Sequence, residues 1–109
     1  MSNLIDELLD TYDAIDIGTE ATKIDRQLIL ETAGLGEMGD KNPIKAEDVK
    51  SWRALKDEYF ELVRKKSILA QSVRILLAVK TSELICRCFT SKNAEALFDK
   101  LSVRWEKIT

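Results

Sequence analysis

Three sets of residues in this chain have types and spacings that could do chemistry. The first lies in AGLGEMGDKNP, residues 33 to 43, where Gly34, Gly36 and Gly39 spell G-x-G-x-x-G and Lys41 follows closely. Such glycines cradle a phosphate when they join a strand to a helix, because the helix amides and dipole then receive the anion. The second set is acidic: Asp6, Asp10 and Asp13 share a helical ridge, and Glu58-x-x-Glu61 could hold Mg²⁺ beside a phosphate substrate. The third is basic. Arg64, Lys65 and Lys66 are consecutive, and Lys100, Arg104 and Lys107 fall on one ridge, suited to anions or nucleic-acid phosphates.

None of these sets is complete. The glycine motif follows a helical pattern, and a phosphate loop needs lysine directly after its last glycine, where this chain has Gly39-Asp40-Lys41-Asn42. Glu37 and Asp40 would repel phosphate as well. For Glu58 and Glu61 a second carboxylate pair is missing: Glu83 is followed three residues later by Cys86, and Glu95 by Phe98. The chain has no histidine, so the commonest general base is absent. A serine or cysteine nucleophile would need a lysine or carboxylate to activate it, and only Arg87 beside Cys86 hints at such help. Cys86 and Cys88, two apart, read as small apolar residues rather than a disulfide or zinc framework. The expectation is therefore no catalytic residue, no cofactor and no metal.

Composition bounds the remaining choices. At 109 residues and 45% hydrophobic, the chain is expected to be one domain, residues 1 to 109, with a core that needs no staple. Residues 1 to 44 hold three basic against ten acidic side chains, and residues 45 to 109 hold fourteen against nine. The two halves could attract each other within one fold, or the basic half could meet an acidic partner. A pI near 5.2 and aromatic residues confined to apolar stripes weigh against nucleic acid. The opening MSNLIDELLD lacks the basic start of a signal peptide, and the most apolar window, residues 68 to 79, is too short to span a bilayer. With two free thiols these features predict a cytoplasmic protein without membrane insertion.

The elements that would position these residues are all helical. Leu4, Ile5, Leu8, Leu9, Tyr12 and Ile15 recur at 3-and-4 spacing, with Ser2 or Asn3 available as cap and Gly18 as stop. A second stripe runs through Ala21, Ile24, Leu28 and Leu30 to Ala33, ending at Gly34. After Pro43 the chain has neither glycine nor proline. Trp52, Leu55, Tyr59, Leu62, Leu69, Val73 and Leu76 continue one seam, which as a single helix to residue 89 would be about 66 Å long. A compact chain of this size has a radius of gyration of about 13 Å, so the helix must break or the protein must oligomerise. Thr81-Ser82 can cap a new helix, which places the main break at 80 to 82, with a weaker kink near 64 to 67. The last stripe is Ala94, Leu97, Phe98, Leu101, Trp105 and Ile108.

The predicted fold class is all-α: a helical bundle of four to five helices. It comprises a helical hairpin (3–16, 19–33), a glycine-rich connector (34–43), a long central helix (46–80, kinked near 66) and C-terminal helices (82–90, 92–107). Residues 68 to 79 would form its centre. The expected function is a non-catalytic protein–protein interaction module, an adaptor, inhibitor, regulatory or immunity-type protein, self-associating through the central helix as a homo-oligomer. Its candidate partner-binding loop is Leu35, Glu37 and Met38. The first alternative is a nucleic-acid accessory protein using the basic C-terminal half; the second is a carboxylate–Mg²⁺ nucleotide hydrolase.

Overall fold

Asn3 opens the bundle by accepting the Asp6 amide on its side-chain oxygen at 3.0 Å, which satisfies one of the free amides at the start of helix α1, Leu4–Ile15. The computed structural model describes residues 3–15 and 20–106. Five more helices follow: α2 Glu20–Leu35, α3 Met38–Lys41, α4 Ala46–Arg64, α5 Ala70–Arg87 and α6 Ala94–Arg104. The described residues hold no strand, so the fold is an all-α bundle. None of its helices is long and apolar enough to cross a membrane. The expected Ser2 cap, Gly18 stop, Lys107 and Ile108 lie outside the described residues.

Helix α5 is the hub. It packs on α1, α2, α3 and α4, while α2 also carries α6. The core joins Leu8, Leu9 and Tyr12 of α1, Ile29 and Ala33 of α2 and Trp52 and Tyr59 of α4. Leu77, Leu84 and Ile85 of α5, with Phe89, Leu101 and Trp105, complete it. Trp52 and Trp105 are both interior, as their stripes predict, at 0% and 4% exposure.

The central helix breaks one stretch earlier than expected. Residues 80 to 82 lie inside α5, and the break falls between Arg64 and Ala70. Thr81 and Ser82 do not cap a helix; their hydroxyls donate to the carbonyls of Leu77 and Ala78 at 2.6 and 2.9 Å, one turn back in the same helix. At the true break Lys66 adopts a left-handed conformation, φ 56°. The Ser67 amide reaches back to Leu62 O and the Lys66 amide to Val63 O, each at 3.0 Å. This pair of bonds is the Schellman closure, with lysine at the position usually given to glycine.

The break resets the facing of the helix that follows. Residues 68 to 79 are therefore not the centre of the bundle: Ile68, Leu69, Ile75, Leu76 and Val79 are exposed, and only Leu77 of this segment is fully buried. A similar correction applies to α2, where Ile29 and Ala33 face the core while Ile24 and Leu28 lie outside. Helix α2 also runs past Gly34 to Leu35, and the connector contains the single turn α3.

Candidate interaction surfaces

The glycine motif resolves into three different positions. Gly36 ends α2 in the left-handed region, φ +67°, where an added Cβ would lie 2.7 Å from the Ala94 Cβ. Gly39 donates its amide to Phe89 O at 2.5 Å, and a Cβ there would meet the carbonyls of Arg87 and Phe89 at 2.6 Å. Gly34 differs from both, because a Cβ on it would touch nothing within 4 Å. Two of the three glycines thus close the connector against the turn before α6. Asp40 tightens the same join: the Ser91 amide donates to its carboxylate at 2.8 Å and the Ser91 hydroxyl donates as well, which lowers the Asp40 pKa. Lys41 pairs with Glu37 at 3.0 Å. The loop's polar groups are spent on its own conformation.

The carboxylate ridge is engaged across the bundle. Lys100 pairs with Asp6, and Arg104 reaches Asp10 at 2.5 Å and Asp13 at 2.7 Å. The Trp105 indole donates to Asp13 at 2.9 Å, and the Arg26 guanidinium stacks over the Trp105 ring at 5.3 Å. Glu7 accepts both nitrogens of Arg53 at 2.9 and 2.7 Å, with Lys56 at 3.4 Å; the Arg53 bonds hold its carboxyl below the ordinary value. Helix α1 is therefore fastened to α6 on one side and to α4 on the other by opposite charges. On α4, Glu61 pairs with Arg64 at 2.5 Å and Lys65 at 3.5 Å, so the first two members of the basic triplet share one carboxylate. Among the described residues no three acidic or thiol side chains converge in a way that could hold a metal ion.

Arg87 does not activate Cys86. It is buried and fully directed elsewhere, donating to Asn42 O, Pro43 O and Asp48 at 3.0, 2.7 and 2.9 Å. Burial raises the Cys86 pKa and pushes that of Cys88 up to about 11, so both thiols stay protonated at neutral pH. Both cysteines are free, packed against the core.

The fold also leaves a group of apolar side chains uncovered. Leu69, just before α5, and Ile75, Leu76 and Val79 within it are exposed. Beside them, α1, α2 and α5 enclose a pocket of about 150 Å³ lined by Tyr12, Asp25, Arg74 and Ile75 among others. Burial raises the Asp25 pKa and pushes the Tyr12 phenol up to about 12, which keeps the Tyr12 hydroxyl protonated at neutral pH. Arg74 presents a buried Nε with no hydrogen-bond partner there. A second opening of about 390 Å³ lies between the end of α2 and the start of α6, lined by Gly34, Leu35, Glu95 and Phe98.

The predicted loop residues fall beside this second opening. Leu35 is 76% exposed and Glu37 and Met38 are on the surface, though Leu35 terminates α2 rather than sitting in a loop. Sequence reasoning missed the outer face of α5, because an apolar stripe carries no sign of whether a neighbour covers it. Compared with known proteins, the chain matches no family model, no curated protein and no solved structure.

Proposed function

We propose that the chain is a non-catalytic helical interaction module that binds protein surfaces, copies of itself included, through apolar side chains its own fold does not cover. One observation carries this reading: Ile68, Leu69, Ile75, Leu76 and Val79 are all exposed within a single twelve-residue stretch. Apolar side chains concentrated on one helix face mark a contact surface far more often than scattered ones do. Adaptor, inhibitor or regulatory roles all fit such a module. The protonated thiols suit a reducing compartment such as the cytoplasm.

The phosphate-contact reading has less support, since anions would have to displace Asp6, Asp10 and Asp13 from Lys100 and Arg104. Mass in solution tests the proposal. Wild-type protein is expected to exceed the 12.4 kDa of one chain in a concentration-dependent way, and Leu76→Glu with Val79→Glu to reduce association at unchanged helix content. A wild-type chain that stays at one copy at every concentration rejects self-association.

A further inference from the structure

Gly34 is the one glycine of the motif that the fold does not require. It lies in the last turn of α2, and open space surrounds the position of a Cβ. Glycine inside a helix costs roughly 1 kcal/mol relative to alanine. Its effect on shape is to leave bare backbone among the residues lining the α2–α6 groove, beside Leu35 and Phe98. Bare backbone in a groove admits close approach by a foreign side chain.

The groove's charge is acidic. Glu95 lines it, Asp99 follows one turn later on α6, and Glu31 precedes Leu35 by one turn on α2. No lysine or arginine lines it, and Glu95 and Asp99 have no ion-pair partner among the described residues. It fits an aliphatic side chain carried next to lysines.

The same molecule presents that combination at its other end. At the α4–α5 corner Ile68 is 89% exposed, the most of any large apolar residue among the described residues, with Leu69 beside it. Lys65, Lys66 and Ser67 precede this pair, and Lys66, which has no ion-pair partner among the described residues, adopts the left-handed conformation that breaks the helix. The groove lies at the Arg87 end of α5, where Gly36 and Gly39 meet residues 87 to 94, and the corner lies at the Ala70 end. Eighteen helical residues separate them, about 27 Å. Within one chain the corner therefore stays out of its own groove.

We infer that the α2–α6 groove is a docking site for the α4–α5 corner of a second copy, with Ile68 entering over Gly34 and Lys66 facing Glu95 and Asp99. The contact is head-to-tail, because the two surfaces differ and lie at opposite ends. It propagates into a ring or a chain rather than closing as a two-fold dimer. This inference rests on the reading of the protein as a self-associating module.

The test uses two variants, each altered at an exposed position: Gly34→Arg, which fills the groove and repels lysine, and Ile68→Asp, which removes the corner's apolar tip. Circular dichroism and thermal melting establish that both fold. Each alone is expected to allow at most the mass of one chain, and their equimolar mixture to reach the mass of two, since each retains the surface the other has lost. Lys66→Glu and Glu95→Lys are each expected to weaken association, and both together in one chain to restore it. If the wild type associates and only Leu76→Glu with Val79→Glu disrupts it, the head-to-tail contact is overturned while the module stands. A wild type that never exceeds one copy overturns both the head-to-tail contact and self-association.

Discussion

The polar centre of the core is a two-residue bridge. The Trp52 indole donates to the Thr81 hydroxyl at 2.9 Å, and that hydroxyl donates to Leu77 O at 2.6 Å, with both side chains at 0% exposure. Replacing the hydroxyl by a methyl leaves a buried N–H without an acceptor, which costs about 1–3 kcal/mol. Thr81→Val is therefore expected to lower urea-unfolding stability by that amount, and Thr81→Ser to recover most of the hydrogen-bonding part. Equal stability of Thr81→Val and wild type would mean the bridge contributes nothing. Thr81 also shows where sequence reading is weakest: the same hydroxyl serves as helix cap or helix interior, and only the nearby carbonyls and indole decide.

Helix α5 is shaped by the turn before it. Closure at Lys66 rather than continuation rotates the helix so that Leu77, Thr81, Leu84 and Ile85 face inward, while Leu69 and Leu76 of the predicted seam face out. Lysine in the left-handed region carries a cost of about 1–2 kcal/mol that glycine avoids, offset in part by glycine's greater freedom when unfolded. Lys66→Gly is expected to raise stability by about 0.5–1 kcal/mol, measured by chemical denaturation. A loss would show that the Lys66 side chain makes a contact that outweighs its backbone strain. The 3-and-4 spacing gives this turn less weight than the break expected at 80 to 82. It marks only a weaker kink near 64 to 67, where the seam position between 62 and 69 is Lys66, and no glycine or proline marks the stop.

At the scale of the molecule, opposite charges join helices far apart in sequence. Arg53 holds the Glu7 pKa below 4.5, and the Lys45 amide and Arg87 hold that of Asp48 below 3.8. A carboxyl with a lowered folded pKa stabilises the fold above its unfolded value, and that contribution is lost as pH falls through the folded one. Asp25 acts in the opposite sense, since burial raises its pKa and acid relieves its desolvation. The lowered groups outnumber it, so the urea midpoint is expected to fall as pH drops from neutral through the 4.5 to 3.8 range and below. Glu7→Gln is expected to flatten that fall, and an unchanged slope would deny the Glu7–Arg53 pair its role.

Helical periodicity and helix-forming residues were enough to determine an all-α bundle, the connector after α2 and the interior places of Trp52 and Trp105. Periodicity reports which residues share a face, a local property of the backbone. The sequence also held the charge asymmetry between the two halves, whose resolution into Lys100–Asp6 and Arg104–Asp10 pairs depends on which helices become neighbours. Tertiary structure alone decided that Ile68, Leu69, Ile75, Leu76 and Val79 lie outside, and that Gly36 and Gly39 serve the fold while Gly34 opens a groove. Burial belongs to pairs of elements. A stripe becomes core only when another surface covers it, and no residue type in the stripe itself records whether that happens.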